Sequence, residues 1–453
     1  MPMSTSVTSE QDLAMINEPI ARLFWRYSIP TIASMLVTGI YVTIDGMFIG
    51  HYLGEQGLAG MMLAYPVASI LYAVGALIGM GSAALVSIYL GRNNVIQARR
   101  LVGNAFSLCL LFGLFFAIVG CWSSSHILQW LGATGEVLKS AEQYLFWYFA
   151  LGTWPILSMA FSALLRNDGR PQAVTWILIL GGVLNVIFDY LWIVVWPYGL
   201  TGAAIATMLA QAITAAFYLH HFFWGKTRLG INWQQMRLTV SNCLEIFKMG
   251  LPSFLMNLYL SIVLTLHNMA FMWVGGPIHV AAYAVVSYTE ALFYLIFEGI
   301  ALGCQPILSF NAGARRFERV FATFKYAVVA TLLVAFIAVT FIYIKPEWLV
   351  YLFAGDNPAL TPVAVNGMLL YFWGLPMEGL LLVGASFLQA IGLSKQASTI
   401  TGAKLILIAI ILYLFAWLFG LTGVWISLAV CSCILLVWLV FLLKRVSVSH
   451  AIK

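Results

Sequence analysis

Apolar residues run along this chain in stretches of 20–28 positions, interrupted by short polar connections. The stretches do not alternate with period two, and each is long enough to cross a bilayer as a helix, which takes roughly 20 residues. Twelve spans are predicted, at about 27–49, 60–89, 101–121, 143–165, 173–196, 200–223, 248–274, 282–309, 322–344, 366–391, 399–420 and 422–443. In lipid, only helices or closed barrels satisfy the backbone. The chain therefore reads as an all-α polytopic membrane protein. Composition agrees: 62% of residues are hydrophobic and 8% charged, with mean hydropathy +0.95. A soluble domain carries about a quarter of its residues as charges.

The net charge of +6 does not signal nucleic acid, because the basic residues sort by side of the membrane. Place both termini and the even-to-odd loops on one side. Of the 22 Lys and Arg residues, all but Lys139 and Lys345 then fall there. The positive-inside rule makes that side cytosolic. The expected organisation is a cytosolic tail (1–20), a six-span lobe (21–223), a cytosolic loop (224–247), a second six-span lobe (248–443) and a cytosolic tail (444–453). The first twenty residues hold no apolar run ending in a small-residue cleavage site, so no removed signal peptide is expected. The six cysteines lie mostly within spans, and Cys431 and Cys433 point away from each other on a helix. They read as inert thiols, with no disulfide framework or metal site.

The two halves repeat. Pro30 aligns with Pro252, Gly54 with Gly276, Gly81 with Gly303, Ser87 with Ser309 and Gly91 with Gly313, each pair 222 residues apart. Gly169 matches Gly392, and Gly199-Leu-Thr-Gly202 recurs as Gly420-Leu-Thr-Gly423. A unit of six spans enters and leaves on the same side, so the repeats are parallel. Such duplication favours a transporter with its pathway between two bundles.

Polar groups inside the spans carry the candidate chemistry. Ser34, Thr38, Tyr41 and Asp45 form one stripe along the first span. Asn185 and Asp189 share a face of the fifth, and Thr207 opens the stripe of the sixth. Run direction puts these groups at similar depth in the outer half of the membrane. An intramembrane acid costs roughly 2.5–3.5 kcal/mol and is a functional candidate by default. Two carboxylates, an amide and a hydroxyl offer hard oxygens to a small cation such as Na⁺. Carboxylates held close without a metal can instead carry a proton. Simple helix–helix hydrogen bonding is the structural alternative.

In the second half His267 stands where Asp45 stands in the first, either titrating near neutral pH or merely hydrogen-bonded. Asn257, Ser261, Thr265 and Asn268 line the seventh span. Ser287, Glu290, Tyr294, Glu298 and Gln305 form a stripe on the eighth, and Glu378 lies in the tenth. No Lys or Arg is expected centrally in any span to neutralise the five acids. A cavity lined by these groups should attract organic cations, with aromatic faces to receive them. Prolines 30, 155, 252 and 376 are candidate kinks. No Walker, HExxH or nucleophile-elbow motif occurs, so neither an ATP-driven pump nor an enzyme of those kinds is encoded here.

At Asp45-Gly-Met-Phe-Ile-Gly-His-Tyr-Leu-Gly54, Gly79-Met-Gly-Ser82, Asn185…Asp189, Gly202-Ala-Ala-Ile-Ala-Thr207 and Gln305-Pro-Ile-Leu-Ser-Phe-Asn-Ala-Gly313, the chain resembles the multidrug and toxic compound extrusion (MATE) family. The resemblance covers nearly its whole length. It implies two six-helix lobes around a V-shaped cavity, and export of amphipathic organic cations in exchange for H⁺ or Na⁺. It assigns a cation site to Asp45, Asn185, Asp189 and Thr207, and makes Glu378 the tenth-helix acid of some members. Their seventh-helix acid has no counterpart, since Leu260 takes its place; Glu290 or Glu298 could substitute. It implies no cofactor beyond the coupling ion. A monomer in a bacterial inner membrane is expected, contacting lipid and small molecules. A lipid-linked oligosaccharide flippase and an intramembrane enzyme are the alternatives.

Overall fold

The structure, a computed structural model, describes residues 10–451, and helix is the regular element throughout them. Residues 1–9 and 452–453 of the expected tails lie outside the described residues. Among those described, ten helices are long and apolar enough to cross a membrane, or eleven when a bent pair counts as one span. The first ten spans run as Ile20–Gly54, Gln56–Gly91, Val95–Trp130, the bent pair Gly135–Ala150 and Thr153–Asn167, Pro171–Val195, Gly199–Phe223, Val240–Gly275, Pro277–Gly313, Phe317–Ile344 and Leu360–Ala390. The remaining helix, Ser394–Arg445, has 52 residues. At 1.5 Å per residue it would be about 78 Å long, more than twice the hydrocarbon thickness. Its backbone breaks at Gly420, with φ 60° and ψ −137°. Divided there it gives two pieces, each long enough to cross once, in the places expected of the eleventh and twelfth spans.

Three expectations change. The fourth span is not one rod: its two pieces meet at 53°. Pro155 sits in the first turn of the second piece, where its missing N–H breaks no helical bond. The segment before the first span is not simply a tail either. Glu10–Asn17 is a helix joined to both halves of the chain. Asp12 takes a two-pronged ion pair from Arg228, while Arg319 donates to the Met15 and Glu18 carbonyls, the latter at 2.8 Å. The expected C-terminal tail likewise continues the last helix as far as Ala451.

The repeat seen in the sequence has a backbone cause. Gly54 and Gly276 end the first and seventh spans with φ of 65° and 74°. Gly199 and Gly420 have φ of 62° and 60°. These left-handed conformations are open to glycine at little cost and to most other residues only with strain. Even the two non-glycine positive-φ residues among those described, Asn93 and Arg315, are 222 positions apart.

Buried apolar residues form two large clusters. One is drawn from Met15 to Met249, with Ile307 and Phe310 added; the other comes from Tyr259 to Leu439, with Phe24 added. The halves meet at glycines near the basic ends of the helices. A Cβ on Gly81 would lie 2.2 Å from the Ile246 carbonyl oxygen, and one on Gly250 would lie 1.8 Å from that of Leu77. A Cβ on Gly91 would lie 2.1 Å from the Phe310 carbonyl oxygen, and one on Gly313 the same distance from that of Ile88. Toward the other end of the first span, Gly46 and Gly50 have nothing within 4 Å. The contact between halves is therefore tight at the basic end.

Candidate functional site

The first span is threaded to the fifth by its own backbone. The Pro30 carbonyl accepts from Thr175 at 2.7 Å and from Ser34 at 2.9 Å, and Ser34 also bonds Thr175 at 2.9 Å. That contact sets the register between the two helices. Further along, the paired glycines Gly181 and Gly182 let Tyr41 and Thr214 pack directly on the fifth span. A very small cavity results, lined by Tyr41, Asn185, Thr207, Gln211 and Thr214 among others.

Asp45, Asn185, Asp189 and Thr207 are all buried. Asn185 Nδ2 donates to Thr207 Oγ1 at 3.3 Å, and Thr207 donates onward to the Ala203 carbonyl. The amide nitrogen is thus engaged and the amide oxygen left open. Asn185 Oδ1, Asp45 Oδ1 and both carboxylate oxygens of Asp189 are buried without a hydrogen-bond partner. Leaving such an acceptor unsatisfied costs about 1–3 kcal/mol each, and more when charged. Asp45 and Asp189 lie within electrostatic reach of each other, and among the described residues neither is in an ion pair. The residues are all oxygen donors and are short of positive charge, which fits a proton or a small hard cation. No group of three or more His, Cys, Asp or Glu gathers among the described residues. Directly after Asp189 the helix widens into a π-turn over Tyr190–Val195. Such turns recur at functional sites because they re-aim side chains; nothing in the sequence pattern announced this one.

The second half corrects one expectation. Its acids do have basic neighbours. Lys404 lies well inside the Ser394–Arg445 helix and sits 2.5 Å from Glu378 Oε2, with its ammonium 3.9 Å above the Tyr259 ring. Ser432 donates to the other Glu378 oxygen. Arg166 is buried at the end of the fourth span, within electrostatic reach of Glu298. Both residues had been counted with the basic loops, because a Lys or Arg near a helix end reads the same whether it faces water or a neighbour. Glu290 accepts from the Tyr371 hydroxyl at 2.6 Å.

Between the halves lies a narrow cavity, lined by Met80 and Met159 from the first half and by Asn257, Tyr294, Glu298 and Ser386 from the second. A second narrow cavity lies in the second half, with Tyr259, Thr401 and Lys404 on its wall, and shares Met256, Tyr294 and Leu382 with the first. A wider depression, lined by Arg92, Lys248 and Arg315, lies at the basic end, away from the acids.

Gln305, Asn268 and His267 line none of these cavities. Gln305 instead links the halves. Ser87 donates to Asn167, Asn167 to Gln305 at 2.8 Å, Gln305 to Ser309, and Ser309 to the Ala390 carbonyl. Asn268 is half-buried. His267 is fully buried, hydrogen-bonded to the Val263 carbonyl at 2.9 Å and to Ser427 at 3.3 Å, and stacked on Tyr283. Replacing His267 by Ala should destabilise the protein by about 2–4 kcal/mol, the scale for emptying a large core position. A lowered unfolding temperature in detergent, with activity kept by the folded fraction, is the expected result.

An acid, Glu298, in an inter-repeat cavity of an all-helical bundle of membrane-crossing length marks an integral membrane transporter. The chain belongs to the MatE family, whose model matches residues 30–191 and again 252–415, one match in each half. It is 26% identical to the multidrug export protein MepA of Staphylococcus haemolyticus (strain JCSC1435) over 437 residues, covering 95% of this chain and 96% of that one. MepA of Staphylococcus aureus (strain NCTC 8325 / PS 47) is also 26% identical, over 435 residues, with 94% of each chain covered. A crystal structure of MATE in complex with MaL6 superposes with TM-score 0.91 at 22% identity, over 97% of this chain and 99% of that one. A MOP superfamily transporter from Pyrococcus furiosus, described as having a binding pocket of reverse polarity, superposes with TM-score 0.90 at 23% identity, over 97% and 98%. The expected all-helical MATE-like fold is the observed one.

Proposed function

We propose that this protein is a secondary antiporter that exports amphipathic organic cations in exchange for H⁺ or Na⁺. The observation that carries the reading is the set of partnerless buried oxygens on Asp45, Asn185 and Asp189, beside the Thr207 hydroxyl. They make a site whose charge balance demands a cation. The relatives' names as multidrug export proteins support export of many small molecules. The Met-lined cavity with Glu298 and Tyr294 suits such cargo, because thioethers repack around different shapes and an acid with an aromatic face attracts organic cations.

In this reading, residues 21–223 and 248–443 are the two lobes, joined by the 224–247 loop. The basic end with its packed glycines is the cytosolic face, so the cavity is served from outside. The coupling cation enters there and binds between Asp45 and Asp189. Its charge and the rearrangement it drives in the first lobe weaken the hold on the organic cation, which leaves outward. Both termini are cytosolic, the membrane is the bacterial inner membrane, and the protein works as a monomer among lipids.

A flippase for an anionic pyrophosphate lipid would need free basic residues in its cavity. Lys404 does line one, but Glu378 neutralises it, leaving no free positive charge there for a pyrophosphate. Purified protein in liposomes should move ethidium when a Na⁺ or a proton gradient is imposed, and whichever gradient works identifies the ion. Failure of both gradients would refute the proposal.

A further inference from the structure

We infer that Lys404 is a tethered counter-ion, filling beside Glu378 the place a mobile cation would take, so that ion coupling is confined to Asp45 and Asp189. The inference rests on the antiport reading above. Its ground is a contrast between two buried acid sites. In the first half, Asp45 and Asp189 leave three carboxylate oxygens without partners. In the second, both oxygens of Glu378 are engaged, one by Lys404 and one by Ser432. Lys404 is held from its other side by the Tyr259 ring. A mobile cation approaching Glu378 would find its oxygens occupied and an ammonium in contact with them. Glu290 and Cys431 lie within electrostatic reach of the pair. Glu290 is tied separately to Tyr371.

The repeat register sharpens the contrast. The matches of Gly169 with Gly392 and Gly199 with Gly420 put the counterparts of Asn185 at 406–408 and of Asp189 at 410–412, all Ile or Leu. Thr207 corresponds to Leu428 and Asp45 to His267. Conversely, Glu378 and Lys404 correspond to 155–157 and 181–183, where no charged residue occurs. The second half has thus lost every member of the oxygen site and holds, elsewhere, an acid together with its own base.

The test counts cations coupled to each exported dye. In liposomes that number follows from the ion gradient at which net ethidium flux reverses, measured with H⁺ and with Na⁺. Lys404→Met exposes Glu378 and should raise the ratio by one. The double variant Glu378→Gln/Lys404→Met removes acid and base together and should restore the wild-type ratio. A single variant with an unchanged ratio would overturn the inference, as would a double variant coupling one cation fewer than wild type. If Lys404→Met does not accumulate, the double variant decides alone. A wild-type protein deaf to both gradients would defeat the antiport reading itself, before any variant is compared.

Discussion

Asp189→Asn is expected to cut ethidium export on the order of 100-fold, the scale of removing one charged partner from a desolvated site, about 2–5 kcal/mol. Asn is nearly isosteric with Asp, so the bundle should survive. It cannot be charged, however, and so cannot hold a proton or attract a cation. Asp189 is fully buried and both of its oxygens lack partners, so no existing hydrogen bond is lost. The site would instead lose its demand for positive charge. Asp45→Asn should behave alike, since the two acids act on each other. Expression and unfolding temperature should stay near wild type while export in cells falls to background. Near-normal export by both variants would exclude coupling at this site.

Gly250→Ala should be the second large effect. Its new methyl would lie 1.8 Å from the Leu77 carbonyl oxygen, a backbone atom that cannot turn aside. The seventh span would have to move off the second. Overpacking of this kind costs about 1–3 kcal/mol. Here the cost falls on the seal between the halves at the basic end. A lower unfolding temperature and at least a tenfold loss of export are expected, tenfold corresponding to about 1.4 kcal/mol. Gly50→Ala is the control: nothing lies within 4 Å of that position. It should match wild type in both measurements, because exchanging Gly for Ala within a helix is otherwise mildly favourable.

Much of this was legible in the chain because membrane helices advertise themselves. Continuous apolar runs gave the spans, and the glycines that break them repeat because their positive φ angles repeat. The stripes from Ser34 to Asp45 and from Asn185 to Asp189 are readable since a polar residue in lipid must face something. What it faces is another matter. Spacing cannot say that Gln305 bridges to Asn167, or that His267 stacks on Tyr283 in a closed core. Lys404 is the instructive miss. Its place near one end of a span suited the positive-inside count, and only the packing of the tenth span against the eleventh reveals Glu378 at its ammonium. The π-turn after Asp189 was silent, whereas the bend in the fourth span falls at Gly152, just before the candidate kink Pro155.

Asp45 and Asp189 either couple the ion or merely hold helices together. Liposomes containing the Asp45→Asn/Asp189→Asn protein separate the two when assayed in two ways. Exchange of labelled for unlabelled ethidium at equal concentrations needs only the cargo path, whereas uphill movement needs the coupling ion as well. Exchange should persist while neither a proton nor a Na⁺ gradient drives accumulation. Gradient-driven accumulation at the wild-type rate in that double variant would contradict coupling at these two acids.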